Sequence, residues 1–376
     1  MRVRALSIHA DYRCRMSGAC CRSGWDIAVE PAAEERIRRG VADGRLRPAD
    51  WGRAAAGLPH GARVLLRVLP SGDCAFLAPG EPRLCAVHKA LGEDALPSAC
   101  RQFPRVVTLT PLGVSLTLSH YCPTAAEMLF RDDVGLAVVS DPAAFPRSWP
   151  YEGLDARDAL PPLLRPGALM SWAAHERLEQ HAVLRLADES GPVAQALADF
   201  AQHAEALRGW SLGDGPLDAF VSSVLERPAR GCEVDAGLAA ALADWERVAR
   251  AVPGRGPAPD SPRAPVEAYG LERAQAALDD GWERLRRPVG RWLAAKAFAS
   301  WIALQGDGVR TTALGLRVAH SVLRAEAARE AAATRAAPSK ESLKQAVRRA
   351  DLLLLHLVDP QALASDLSRC EAAQGA

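Results

Sequence analysis

The chain of 376 residues lacks an excess of either charge. Its 46 lysines and arginines face 45 aspartates and glutamates, so the net charge is only +1. A nearly neutral chain exerts no overall electrostatic attraction on nucleic acid or on an anionic membrane surface, and we expect neither as a partner. At an average of about 150 residues per domain, the length predicts two domains.

Long apolar runs are missing as well. The first ten residues contain two arginines and no apolar stretch long enough for a secretory signal, which leads us to expect a cytoplasmic protein. The most apolar later stretch, residues 289–305, contains Arg291 and Lys296. A membrane span needs about 20 predominantly apolar residues, so this stretch predicts a buried core helix and no span.

The sequence also lacks a glycine-rich turn between a strand and a helix. A conventional S-adenosylmethionine-dependent methyltransferase has such a turn, followed by an acidic residue on the next strand that binds the ribose. The three glycine pairs that come nearest to it, at 213–215, 254–256 and 306–308, all lie between predicted helices. Loops that connect helices explain them better.

The strongest feature that is present is an uneven distribution of cysteine. Of nine cysteines, the two at positions 232 and 370 are isolated in predicted helical surroundings and are interpreted as structural or incidental. In the cytosol a cluster of reduced thiols more often binds a metal or acts in catalysis than forms disulfides. The other seven cysteines all precede residue 123: Cys14, Cys20, Cys21, Cys74, Cys85, Cys100 and Cys122.

The spacing of these seven cysteines also favours a metal. Cys20 and Cys21 are neighbours in the chain, and neighbouring residues rarely form a disulfide with each other. Thiolate sulfur is a soft ligand that selects zinc, copper(I) or iron-sulfur centres. The spacing matches neither the Cys-x3-Cys-x2-Cys motif of radical S-adenosylmethionine enzymes nor the paired Cys-x2-Cys motifs of zinc ribbons. Buried structural thiols are the alternative, and the clustering argues against them.

Four thiolates are enough for one structural zinc or one iron-sulfur cluster, so seven exceed a single site. Either two metals are bound, with His88 or His120 completing the second set, or one metal is bound and three cysteines serve another purpose. Arg101 and Arg105 closely follow Cys100. Their guanidinium groups would offset the negative charge of a thiolate-rich centre or, alternatively, bind an anionic substrate.

Local patterns predict short elements around the cysteines. Residues 62–69 and 74–77 predict a hairpin with a turn at Pro70-Ser71-Gly72-Asp73, and residues 106–118 predict a second hairpin. Residues 86–91 predict a short helix ended by Gly92. Glu30, ahead of Pro31, suits either a helix start or a metal-binding carboxylate.

The fold class predicted from these patterns is mainly α: a small cysteine-rich α+β metal-binding region over residues 1–135, followed by an all-α domain over residues 150–376. Residues 141–150 and 252–265 are rich in proline and predict linkers, the second a possible boundary within the helical domain. The mixed charges from Arg324 to Arg348 predict solvated helix surface. Periodicity predicts helices at about 168–188, 192–208, 215–226, 235–251, 266–285, 289–304, 309–331 and 340–357.

The phrases around the cysteines resemble one family. They are Tyr12-Arg-Cys14-Arg-Met-Ser-Gly-Ala-Cys20-Cys21-Arg-Ser-Gly-Trp25, Gly72-Asp-Cys74-Ala-Phe-Leu77, Leu84-Cys85-Ala-Val-His88, Cys100-Arg-Gln-Phe-Pro104-Arg105 and Ser119-His-Tyr-Cys122-Pro. They are similar to the YkgJ-type cysteine-cluster proteins, which are described as zinc- or iron-chelating, and especially to their longer relatives, the flagellin lysine N-methylases. Where the short members often have Cys-x2-Cys-Gly-x-Cys-Cys, this chain has Ser17, which removes one ligand.

The resemblance implies a metal centre ligated by some of the seven cysteines, either an iron-sulfur cluster or zinc. It also implies methyl transfer from S-adenosylmethionine to lysines of a protein substrate such as flagellin. Two functions therefore stand side by side: a metal-cluster protein whose centre is structural or redox-active, and a protein lysine N-methyltransferase. The residues themselves support the metal centre and say nothing specific about methyl transfer.

Overall fold

A computed structural model describes residues 1–48, 50–78, 80, 84–229, 231, 237–253 and 261–374. The protein is mainly α, as predicted. The strands are β1 (Val3–Leu6), β2 (Ala28–Val29), β3 (Gly52–Ala54), β4 (Val64–Leu66), β5 (Arg105–Thr110), β6 (Gly113–Leu118), β7 (Val138–Ser140), β8 (Leu154–Asp155), β9 (Leu163–Arg165) and β10 (Ala168–Leu169). The helices are α1 (Pro31–Ala42), α2 (Ala86–Leu91), α3 (Ser98–Gln102), α4 (Pro123–Met128), α5 (Trp172–Ala187), α6 (Val193–Arg208), α7 (Leu217–Glu226), α8 (Gly237–Arg250), α9 (Arg263–Tyr269), α10 (Leu271–Trp282), α11 (Arg286–Ala297), α12 (Ile302–Gln305), α13 (Val309–Thr334), α14 (Lys340–Asp351) and α15 (Pro360–Gln374).

The chain divides into two compact units. The larger comprises Met1–Asp11, Val106–Tyr121 and Ala125–Ala376, and the smaller comprises Tyr12–Arg105 and Cys122–Thr124. The predicted domains, 1–135 and 150–376, stay a prediction. The two compact units have other boundaries, because the first eleven residues and most of the second hairpin belong to the same unit as the helices.

Strand pairing explains this difference. In the larger unit a five-stranded sheet has the order β7-β1-β6-β5-β8. β1 pairs in parallel with β6, Val3 opposite Val114, and antiparallel with β7. Gly113 has φ 135°, and a Cβ at that position would lie 2.4 Å from the carbonyl oxygen of Arg2, so glycine permits the close approach of the two strands.

The eight predicted helices all contain helical structure, with corrections at their ends. α5 begins at Trp172 because Ala168–Leu169 pair with β9, and the Ser171 hydroxyl caps the helix by accepting from the Ala174 amide. Residues 266–285 are interrupted at Gly270, which has φ 98°. The helix predicted at 289–304 ends at Ala297, and Ala299 has φ 57°. α15 was not predicted.

The first predicted linker, residues 141–150, contains no helix. In the second, residues 252–265, the described residues before Arg263 contain no helix, and α9 begins at Arg263. Residues 254–260 of that linker, which include the glycine pair 254–256, lie outside the described residues. The other two glycine pairs lie between helices, as predicted: 213–215 between α6 and α7, and 306–308 between α12 and α13.

The core of the larger unit forms around α13. The prediction of solvated surface from Arg324 to Arg348 is wrong for this helix, because Ala325, Ala327 and Ala328 are completely buried. Small alanine side chains let α8 and α14 pack closely against α13. Glu326 is buried among them, where its carboxylate accepts from Trp245 Nε1 at 2.8 Å.

A buried ion pair stabilises the same unit. Asp351, fully buried at the end of α14, accepts from Lys296 Nζ at 2.6 Å and from Trp292 Nε1 at 2.9 Å. It also accepts from the backbone N–H of His120 at 2.5 Å. Burial alone would raise the pKa of this carboxyl, but Lys296 and His120 hold it well below its usual range.

We predict that Asp351→Ala destabilises the protein by about 3–5 kcal/mol, because it leaves the Lys296 ammonium buried without its counter-charge. Urea denaturation followed by circular dichroism measures the change in the free energy of unfolding. Asp280→Ala is the control, since Asp280 pairs with Arg284 at an exposed site and its loss should cost under about 1 kcal/mol. Equal stabilities of the two variants would contradict the assignment.

The smaller unit combines α1 with the antiparallel sheet β2-β4-β3. Its core contains Ile37, Trp51, Leu66, Phe76 and Val87, among others. The first predicted hairpin is confirmed in part: Val68 and Cys74 form an antiparallel bridge across the predicted turn, while β4 itself pairs with β2 and β3. α2 has the predicted bounds and ends at Gly92, which has φ 87°.

Candidate metal centre

The cysteines of the smaller unit lie on turns and helix ends. Cys20 and Cys21 lie in a single 3₁₀ turn, Ala19–Arg22, which follows Gly18 in the left-handed conformation. Cys74 follows the turn of the first hairpin, and Cys85 is the residue that caps the N-terminus of α2. Cys100 lies in α3. Such positions let sulfurs from separate segments converge without distorting a regular element.

Four of these cysteines meet around Cys21. Its sulfur lies 4.0 Å from that of Cys20, and the nearby thiols of Cys20, Cys74 and Cys85 raise its pKa. The backbone joins two of the segments, because the Cys74 amide donates to the Cys21 carbonyl at 2.7 Å. Burial and the neighbouring Cys85, Cys74 and Cys20 raise the pKa of Cys100. We call Cys20, Cys21, Cys74 and Cys85 the four-thiol cluster.

Cys14 and Cys122 meet at a different residue. The Tyr12 hydroxyl lies 3.6 Å from the Cys122 sulfur, and burial together with Cys122 and Cys14 raises the pKa of Tyr12. Cys122 and Tyr12 are buried, whereas Cys14 is exposed. The seven cysteines therefore gather into the four-thiol cluster, the pair at Tyr12, and Cys100 beside the cluster. No disulfide is formed among these seven thiols.

All seven cysteines line one cavity of about 400 Å³ within the smaller unit. Much of its remaining wall is apolar, with Ile37, Leu66 and Phe76 among the lining residues. The charged side chains that line it are four arginines and one glutamate: Arg13, Arg67, Arg101, Arg105 and Glu93. This excess of positive charge favours an anionic centre, because a guanidinium offsets thiolate charge at close range.

The cysteine thiols differ in pKa. The neighbouring Cys21 thiol lowers the pKa of Cys20, Cys74 and Cys85, that of Cys85 to about 7, and the same neighbours raise the pKa of Cys21. Cys85 lies at the N-terminus of α2, where the nearby backbone N–H groups also lower the pKa of its thiol. Burial raises the pKa of Cys14 and of Cys100.

The two histidines proposed as extra ligands have different surroundings. His88 lines the cavity with the cysteines. His120 belongs to the larger unit, where its Nδ1 lies 3.2 Å from Asp351 and its Nε2 lies 3.2 Å from Nε2 of the buried His9. Both ring nitrogens of His120 are thus engaged by its own unit. The sequence could not indicate this, since Asp351 is 231 residues away.

The carboxylates that follow Cys21 in the sequence have structural partners. Glu30 precedes the first residue of α1, and its carboxylate accepts from the Ser98 amide at 3.1 Å. Asp26 pairs with Arg53 at 3.0 Å on the surface. The ring of Trp25 packs against that of Phe103, 5.5 Å between centroids. Arg101 and Arg105 line the cavity, where both roles considered for them remain open.

The cysteine thiols line the same cavity but do not form a complete coordination shell for a metal ion. Among the described residues, no group of three or more Cys, His, Asp or Glu side chains is placed ready to hold a metal ion. The donor set nevertheless fits a thiophilic metal. Zn–S bonds of about 2.3 Å in a tetrahedral site imply sulfurs about 3.8 Å apart, and the Cys20 and Cys21 sulfurs are 4.0 Å apart.

Comparison with known proteins adds no relative. No protein-family model matches the sequence, and no curated protein or solved structure is significantly similar to it. None of the described helices is both long and apolar enough to cross a membrane.

We predict that iodoacetamide at pH 7 alkylates Cys85 faster than Cys14 in the metal-free, reduced protein. The pKa of about 7 makes Cys85 about half thiolate at that pH, whereas Cys14 stays a thiol although it is the more exposed. Peptide mass spectrometry after timed quenching gives both rates. At pH 6 the rate at Cys85 should fall several-fold. Faster labelling of Cys14 at pH 7 would contradict the assigned acidities.

Proposed function

We propose that this protein binds a metal through the thiolates of its cysteine-rich region, as a structural or redox-active centre. The observation that carries the proposal is that cysteines from separate segments of the chain line one cavity, where the Cys20 and Cys21 sulfurs lie 4.0 Å apart and the Cys74 amide donates to the Cys21 carbonyl at 2.7 Å. Cysteines with only a packing role do not need to meet sulfur to sulfur. Four thiolates complete the coordination of one zinc ion or one cubane cluster.

The electrostatics of the cavity support the same proposal. Four thiolates around a zinc ion or a cubane cluster leave a net negative charge, and a partly apolar wall screens such charge poorly. Arg13, Arg101 and Arg105 supply the opposite charge, whereas Arg67 is paired with Asp50. We assign Arg101 and Arg105 the screening role. Zinc and an iron-sulfur cluster would use the same cysteine thiolates, and elemental analysis distinguishes the two.

Methyl transfer is supported by the resemblance to flagellin lysine N-methylases alone. No contact in the described residues points to an S-adenosylmethionine site, and the two described glycine pairs connect helices. Isothermal calorimetry with S-adenosylmethionine, on protein with and without reconstituted metal, tests this second function. Absence of heat in both titrations would remove it.

We predict that protein purified without oxygen contains zinc or iron with sulfide, and that Cys21→Ser lowers the metal content several-fold. The Cys21 sulfur lies 4.0 Å from that of Cys20 and its carbonyl accepts from the Cys74 amide, so its loss leaves three thiolates in the four-thiol cluster, too few for a closed site. Elemental analysis and the visible absorption spectrum measure the effect.

The matched control is Cys232→Ser, which also removes one cysteine but one with no predicted ligand role. It should keep the metal. Helical circular dichroism should persist in Cys21→Ser, since the larger unit has its own core. Full metal content in Cys21→Ser, or a folded wild-type protein that never contains metal, would contradict the proposal.

A further inference from the structure

The larger unit contains a cavity of its own, lined by residues of α6, α8, α10, α11 and α13. Its volume is about 440 Å³, and small-molecule sites typically measure roughly 300–1,000 Å³. Its described lining residues include no cysteine. The cavity is therefore large enough for a small ligand and is separate from the thiols of the proposed metal centre.

The carboxylates that line this cavity already have partners of opposite charge. There are three of them among the described lining residues, and each lies beside an arginine: the pairs are Glu283–Arg286 at 2.7 Å, Asp244–Arg247, and Asp279–Arg324 at 4.0 Å. Because these negative charges are balanced within the protein, the cavity offers little attraction to a cation.

Arg317 is the lining residue whose charge is not balanced in this way. Within the part of the chain that the structure describes, its exposed guanidinium forms no ion pair with a carboxylate, and its charged neighbour is another cation, Arg247. Loss of hydration and this like charge lower the pKa of Arg317. An anion beside the guanidinium would relieve the repulsion.

The start of α6 adds to the positive charge at this wall. Val193 and Ala194, the first two residues of the helix, line the same cavity. The N-terminus of a helix carries a partial positive charge, which favours a nearby anion. Arg317 and the start of α6 thus both favour a negatively charged ligand.

Another part of the wall offers a flat aromatic surface. The rings of Trp282 and His320 both line the cavity, with centroids 5.7 Å apart and planes inclined by 52°. Ala240 and Ala241 of α8 add small apolar side chains beside them. A ring of the ligand can stack on the indole and bury apolar surface there.

We propose that this cavity binds a small planar anion, an aromatic ring that carries a carboxylate or a phosphate group. The anionic group pairs with Arg317, and the ring lies against Trp282. This binding site goes beyond the proposed metal centre and does not depend on it, since none of the residues that form it is a predicted metal ligand.

Isothermal calorimetry on the full-length, reduced protein tests the proposal with four probes. Adenosine monophosphate and benzoate each join a ring to an anionic group, as a phosphate and as a carboxylate. Adenosine has the ring alone, and inorganic phosphate has the anionic group alone. We expect one of the two ring-bearing anions to bind about 10-fold or more tightly than adenosine and phosphate, because only it makes both contacts.

Arg317→Gln should weaken binding of that probe by about 10-fold and reduce its salt dependence, because the ion pair is lost. The matched control is Arg273→Gln, which removes an exposed arginine of the same unit that does not line the cavity, and it should bind as the wild type does. Trp282→Leu keeps apolar volume but removes the flat ring, so it should weaken binding several-fold. Circular dichroism checks that each variant is folded.

Several outcomes would overturn the proposal. They are no binding of either ring-bearing anion, equally tight binding of adenosine or inorganic phosphate, and equal affinities of Arg317→Gln and Arg273→Gln. If Trp282→Leu does not fold, the exposed Arg317 still provides the test. Cys21→Ser should bind the probe normally, so failure of this proposal and failure of the metal proposal are distinguishable.

Discussion

The smaller unit is built around one constraint: thiols from distant positions in the chain have to reach the same cavity. Each segment meets it in its own way, with a 3₁₀ turn for Cys20 and Cys21, the end of a hairpin turn for Cys74 and a helix cap for Cys85. The amide of Cys74 donates to the carbonyl of Cys21, so backbone and sulfur contacts reinforce each other. These local geometries support the proposal that the thiols bind one shared metal.

The two units are stabilised by different interactions. In the larger unit, a buried carboxylate at Asp351 is balanced by Lys296 and by hydrogen bonds from Trp292 and His120, inside a core organised by α13. In the smaller unit, the cysteines share one cavity with arginines, and the Cys20 and Cys21 sulfurs lie 4.0 Å apart. The charge of Asp351 is balanced within the protein, whereas the thiolates of the proposed centre would be balanced by a bound metal and by the arginines.

Local signals in the sequence predicted local structure well. α2 ends at Gly92 because glycine adopts the positive φ required there, and the turn before Cys74 has the residues that such turns favour. These local signals do not predict which distant strands pair. Nothing in the sequence near Val3 indicates that β1 pairs with β6. His120 was considered as a ligand because of its closeness to Cys122 in the sequence, yet its partner is Asp351. The cysteine positions were evident, but which sulfurs meet depends on tertiary packing.

X-ray absorption at the edge of the native metal tests the central claim most directly, because it reports the identity, number and distance of the ligands together. If the four-thiol cluster holds the metal, the first shell consists of sulfur, at about 2.3 Å for zinc. In Cys21→Ser that shell should lose sulfur or the metal should be absent. A first shell of nitrogen and oxygen in the wild type, unchanged in Cys21→Ser, would contradict the assignment.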